Sequence, residues 1–197
     1  MGKGVRLTMA FKKEIEVIIE PKDVFVGDED APVTLMEFGE YESEACAKAN
    51  EVVKQLLEEY EGKVKFNFRH FPQTKIHQRA LKASEAAVAA VQEGKFWEMH
   101  NVLFQNRRQL GTVSLKLHSR EAGISNKKFL EDLVNGKYGW QVQDDLKEGI
   151  DRGVKDVPTF FVNEEPLTGK PNFENLSKMI DAALKKAKRK TPERKRA

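Results

Sequence analysis

The chain has 197 residues, 40% hydrophobic and 33% charged, enough to bury one real core beneath a highly charged surface. Its single cysteine, Cys46, excludes an intramolecular disulfide and gives no sign of an oxidising compartment. The first residues lack the apolar stretch of a secretory signal, and no run approaches membrane-spanning length, so the expected compartment is the cytoplasm. The net charge of +3 is uneven: residues 185–197 hold eight Lys or Arg and one Glu, so the tail carries +7 and the remainder about −4.

In chain order, residues 1–13 read as a basic leader. Glu14 to Glu20 alternates around Ile15, Val17 and Ile19, a strand that Pro21 ends. Gly27 to Pro32 is a polar connection. Val33, Leu35, Met36 and Phe38 then form a nearly unbroken apolar run, as in a strand covered on both faces, and Gly39 is placed to let the backbone turn. From Ala45 the apolar spacing becomes helical through Ala49, Val52, Val53, Leu56, Leu57 and Tyr60, with Gly62 as the stop. Lys63 to Phe71 alternates, with Val64, Phe66 and Phe68 on one face and Lys63, Lys65, Asn67 and Arg69 on the other. Strand, helix and strand at this spacing make a right-handed βαβ unit with parallel strands.

Residues 74–152 show helical patterns only: Ile76 to Glu93, Phe96 to Asn106, Ser114 to Glu121, Asn126 to Val134 and Tyr138 to Arg152. They read as a helical subdomain inserted into an α/β domain. Thr159 to Val162 is a strand, Pro166 to Thr168 a short edge strand, and Phe173 to about Lys186 a final amphipathic helix. The expected division is a leader with an edge strand (1–22), a first α/β part (23–73), the insert (74–152), a second α/β part (153–186) and a disordered basic tail (187–197).

The chemistry concentrates at Ser43-Glu44-Ala45-Cys46, where strand passes into helix. Ser43 is placed as the N-cap, its hydroxyl accepting an orphan backbone N–H. A thiol in a first helical turn is a candidate thiolate, because the helix dipole favours negative charge there. Cys46, however, shares the apolar side with Ala49, Val53, Leu56 and Tyr60, where burial raises a thiol pKa. Glu44 adds negative charge beside it. The four histidines, 70, 77, 100 and 118, lack zinc-site spacing, so no metal is expected. Phosphate-loop, dinucleotide and nucleophile-elbow motifs are absent.

Three stretches carry a family resemblance: GDEDAPVTLMEFGEYE (27–42), GKFWEMHNVLFQN (94–106) and VPTFFVN (157–163). Together, over about residues 23–184, they resemble the DsbA-like disulfide oxidoreductases. The resemblance implies an α/β thioredoxin-like fold with a helical insertion. It also implies a cis proline at Pro158 facing the helix-terminal site. The family's motif is two cysteines separated by two residues. Here Ser43 stands at the position of the nucleophile and Cys46 at that of the resolving thiol.

A serine hydroxyl neither attacks a disulfide at neutral pH nor forms the mixed disulfide. The expected function is therefore a DsbA-like thiol-disulfide oxidoreductase homologue, impaired or atypical in dithiol exchange, with Cys46 and Ser43 at the catalytic positions. Val157, Pro158, Glu44 and Ala45 would contact substrate, which would be protein or peptide thiols or extended peptides in the proline groove. One alternative is a redox-inactive module that binds peptide or protein through that groove. A second is a glutathione-binding enzyme using Ser43, as in the similar kappa-class glutathione transferases. That branch's glycine followed by an aspartate-arginine pair is replaced here by Gly169-Lys170-Pro171-Asn172. Glutathione is thus the one cofactor considered. No nucleic acid is expected at the core domain, with the basic tail left as a weak contact.

Overall fold

The computed structural model describes residues 19–194. A five-stranded mixed sheet runs in the order β1 (Phe25–Gly27), β3 (Val64–His70), β2 (Val33–Gly39), β4 (Thr159–Val162), β5 (Glu165–Pro166). β2 and β3 are parallel, from Val33 opposite Val64 to Gly39 opposite His70, and α1 (Glu44–Glu59) connects them. β1 on β3, β4 on β2 and β5 on β4 are antiparallel. Val33, Leu35, Phe38, Phe66, Phe68 and Phe160 are almost fully buried and form the centre of the core.

Between β3 and β4 lie α2 (Ala80–Val91), α3 (Phe96–Gln105), α4 (Thr112–Glu121), α5 (Phe129–Val134) and α6 (Gly139–Asp151). α2 is buried from Ala83 to Val91, and α3, α4, α5 and α6 all pack on it. Its alanines suit it to that central place, since small side chains admit neighbouring helices closely. α6 crosses to the sheet at Gly149, where a Cβ would lie 2.6 Å from the Phe71 ring. α7 (Phe173–Arg194) closes the fold against α1, β2 and β4.

Several expectations change. The strand over residues 14–20 lies almost wholly outside the described residues, as does the leader; Pro21–Asp23 is a 3-10 turn. β1 had no sequence counterpart: it is three residues long and owes its existence to pairing with β3. Gly39 lies within β2 and is needed for closeness rather than for a turn, because a Cβ there would sit 2.8 Å from the Phe68 ring and 2.9 Å from the Glu37 carboxylate.

Asn67 and Arg69 are buried, not solvent-facing. Asn67 Nδ2 donates to Pro21 O (3.0 Å) and Val24 O (2.8 Å), and α6 covers Arg69. The first insert helix starts at Ala80 rather than Ile76. Carboxylates from the β2–α1 connection hold the preceding stretch as turns, Glu40 accepting from Gln73 N and Glu42 from Arg79 N. The tail expected to be disordered is helical as far as Arg194, in keeping with the helix preference of its Lys, Arg and Ala.

Candidate functional site

Three connections meet at one end of the sheet, where β2 and β3 finish and β4 begins: residues 40–43, 71–79 and 152–158. This is the carboxyl end of the parallel strands, the usual place for a site in an open α/β sheet. Glu40 is fully buried, and its Oε1 is hydrogen-bonded to His77 Nδ1. Its Oε2 accepts from Gln73 N at 3.2 Å. Gln73 Nε2 in turn donates to Asp156 Oδ1 (3.0 Å), which also accepts from Val157 N (2.8 Å). One chain of hydrogen bonds thus ties all three connections together. Burial raises the Glu40 pKa, against the opposing pull of His77.

The Val157–Pro158 peptide bond is cis. β4 pairs with β2 from Phe38 opposite Thr159, and continuing that register sets Pro158 beside Gly39, just before the turn into Ser43. β5 covers only Phe161 and Val162 by strand pairing, with Leu167 N reaching Phe160 O at 2.8 Å. Among the described residues, no strand lies beside 157–159 on the side away from β2. Pro158 and Thr159 are half-buried, and Val157 is buried.

Ser43 caps α1 and is itself buried, 5% exposed, with its Oγ accepting from Cys46 N at 3.3 Å. Glu44 and Ala45 are exposed. Glu44 pairs with Lys48 (2.9 Å) and Arg107 (3.0 Å), and these hold its pKa below the ordinary range. Its charge is therefore largely answered by cations rather than directed at the thiol. Cys46 is 0% exposed. Burial pushes its thiol pKa far above the ordinary value, and the nearby Glu37 adds to the rise.

Glu37 is the residue the sequence reading passed over. It interrupts the apolar run of β2, is 1% exposed, and leaves its Oε1 without a hydrogen-bond partner. Burial raises its pKa well above the ordinary carboxylate value. A lone acid inside a buried strand was the available signal, since such a group is costly without a role or a partner.

Beneath the site lies a polar layer. The Tyr41 hydroxyl meets His100 Nδ1 at 3.2 Å, and His100 Nε2 meets Asn50 Oδ1 at 3.1 Å. Burial lowers the His100 pKa to about 3, so the ring is neutral. One tautomer satisfies both contacts: Nε2–H donates to Asn50 and Nδ1 accepts from Tyr41. His100 and Phe96 thus pack in the core beside α1, as structural residues. Among the described residues, no group of three His, Cys, Asp or Glu is placed to hold a metal ion, and no helix is long and apolar enough to cross a membrane.

A family model described as Thioredoxin matches residues 20–182. The chain belongs to the thioredoxin family. This thioredoxin-family chain is 32% identical over 176 residues to the Na(+)/H(+) antiporter NhaA 3 of Salinispora tropica, covering 89% of the chain and 27% of the antiporter. The chain therefore spans about a quarter of the length of the curated relatives it matches. Among solved structures, oxidised BdbD from Bacillus subtilis has a TM-score of 0.76 and 23% identity, over 84% of this chain and 93% of BdbD. A double cysteine-to-alanine variant of alpha-DsbA1 from Wolbachia pipientis has a TM-score of 0.71 and 22% identity, over 89% of this chain and 96% of that one. This thioredoxin-family fold is thus the DsbA-like one, with a single cysteine at its helix-terminal motif.

Proposed function

We propose that this chain is a redox-inactive member of the thioredoxin family that binds extended peptide or unfolded protein along Val157–Pro158–Thr159. The observation that carries this reading is Cys46 at 0% exposure. Exchange needs an accessible thiolate, and here the sole thiol is buried with its pKa raised. Dithiol exchange, the activity expected of its family, accordingly has no nucleophile at position 43. What the site keeps is a stretch beside the α1 N-terminus that no strand covers on the side away from β2 among the described residues, the kind of place where an extended chain joins by strand addition, with Val157 N already held by Asp156 Oδ1. Glu44 and Ala45, exposed at the same end, would contact the peptide's side chains.

The glutathione alternative requires a reachable Ser43 hydroxyl. Ser43 is 5% exposed with its oxygen engaged by Cys46 N, which argues against it. Antiporter activity belongs to the relatives as whole proteins, and this module does not inherit it from a match over 27% of their length.

The test pairs two measurements on the full chain. Fluorescence anisotropy with a labelled, cysteine-free unfolded polypeptide should give saturable binding, and an insulin-reduction assay should give no turnover. Turnover by the native chain, or no binding at any attainable concentration, would overturn the reading.

A further inference from the structure

Helix α7 serves the core only through its first half. Leu176 and Ile180 are fully buried, and Met179, Ala183 and Leu184 pack against the same cluster. Beyond Leu184 its outer face is cationic: Lys185, Lys186, Lys188 and Arg189 are all exposed. None of the four has an ion-pair partner among the described residues. Several cations elsewhere pair locally, as in Lys48–Glu44, Lys54–Glu51, Lys147–Asp151 and, earlier in α7 itself, Lys178–Glu174. The sequence continues with Lys190, Arg194, Lys195 and Arg196 against Glu193 alone. Other exposed cations without an ion pair among the described residues, such as Lys75, Lys116 and Lys155, stand singly, whereas Lys185, Lys186, Lys188 and Arg189 fall within five residues of one helix.

The helix also stands clear of its neighbours here. Grooves of about 590 and 580 Å³ run along its two sides, sharing Pro32 and Ala187. Their other walls include Glu164 and Glu165 on one side and Glu59 and Lys63 on the other, all at the end of the sheet opposite Pro158. At 3.6 residues per turn, the four cations fan over about 160° of the helix circumference.

That fan decides between anionic partners. A flat bilayer engages one narrow face, and interfacial helices bury an apolar face in the lipid. The apolar face of α7 is spent on the core, and the outer positions from Asp181 to Arg189 hold no large apolar side chain. A double helix, by contrast, offers a major groove wide enough for an α-helix, with phosphates along both walls. Cations on both flanks of one helix fit that concave, two-sided charge. Lysines aimed at phosphates position a protein without reading bases.

We propose that the outer face of α7 at Lys185, Lys186, Lys188 and Arg189 binds the phosphates of double-stranded DNA without sequence preference. It lies at the far end of the sheet from the peptide edge and does not depend on that reading. The test uses the full chain and a labelled DNA duplex of mixed sequence, followed by anisotropy. Binding should weaken steeply between about 50 and 200 mM salt, with a log–log slope to which four phosphate contacts contribute about −3.6. Replacing all four residues by glutamine (Lys185→Gln, Lys186→Gln, Lys188→Gln, Arg189→Gln) keeps helix propensity. It should leave the thermal unfolding curve unchanged, weaken duplex binding at low salt by roughly tenfold or more, and flatten the salt slope. No duplex binding at the lowest salt overturns the proposal. So does full binding by the quadruple variant with an unchanged melting curve. Cosedimentation with phosphatidylglycerol vesicles that duplex DNA fails to compete away also overturns it, in favour of a membrane surface.

Discussion

Ser43 and Cys46 lie three residues apart, and the first turn of α1 gives them different work. Ser43 turns its oxygen forward over the first turn to accept from the Cys46 N–H, while the Cys46 side chain is buried in the core with Ala49, Val53 and Leu56. Both placements follow from spacing and were legible in the sequence. Glu37 was legible only as an acid interrupting an apolar strand, which marks the position but says nothing about which neighbours remove its water.

Its burial has a pH signature. The raised pKa means that the folded chain keeps a proton that the unfolded chain releases near the ordinary value of 4.5. The folded state then binds more protons than the unfolded one, so this residue's contribution to stability falls as pH rises above that value. Glu37→Gln removes the titration. The melting temperature of the native chain should therefore drop relative to Glu37→Gln as pH is raised from about 4 to about 8. A difference that stays constant with pH would contradict the raised pKa.

At the scale of elements, the union of β3 with α6 rests on a buried ion pair. Arg69 Nε donates to Asp145 Oδ1 at 2.6 Å, and Asp145 Oδ2 accepts from His70 N and meets His70 Nδ1, both at 2.9 Å. Arg69 Nη2 also reaches Glu148 at 2.5 Å. Burial alone would raise the Asp145 pKa, but hydrogen bonding from His70 and the charge of Arg69 outweigh it and hold the pKa low. Asp145→Ala leaves Arg69 buried with only Glu148 to answer it. It should cost about 3–5 kcal/mol in urea unfolding, the usual penalty for removing one partner of a buried pair. A loss within experimental error would place the pair outside the stabilising contacts.

The alternation of β3 was readable, yet the assignment of Asn67 and Arg69 to solvent was not correct. Their partners come from Pro21 and Val24, ahead of the first parallel strand, and from Asp145 in α6, 76 residues beyond Arg69. Local periodicity reports which residues share a face, not which distant element covers it. The same limit hid β1. It also moved the start of α2, where Glu40 and Glu42 from another connection hold the backbone of residues 73–79.

Across the whole molecule, the order βαβ, helical insert, ββα was legible because its periodic segments are long and the punctuating residues are clear. At the helix-terminal motif, Ser43 caps α1 and Cys46 sits in its first turn, so positions 43 and 46 keep the spacing of a two-cysteine motif. The departure is concentrated at position 43. Ser43→Cys should therefore create an oxidisable pair with Cys46 and give insulin reduction that the native chain lacks. If no turnover appears in a variant that still folds, the loss runs deeper than one residue.

The central claim, that the only thiol of this thioredoxin-family chain is inert in the folded state, is tested most directly by alkylating Cys46. Mass spectrometry after iodoacetamide treatment at neutral pH should show the native chain unmodified for hours and the denaturant-unfolded chain modified within minutes. Labelling of the native chain at the rate of a free thiol would contradict a buried, raised-pKa Cys46 and return the chain to the redox-active members of its family.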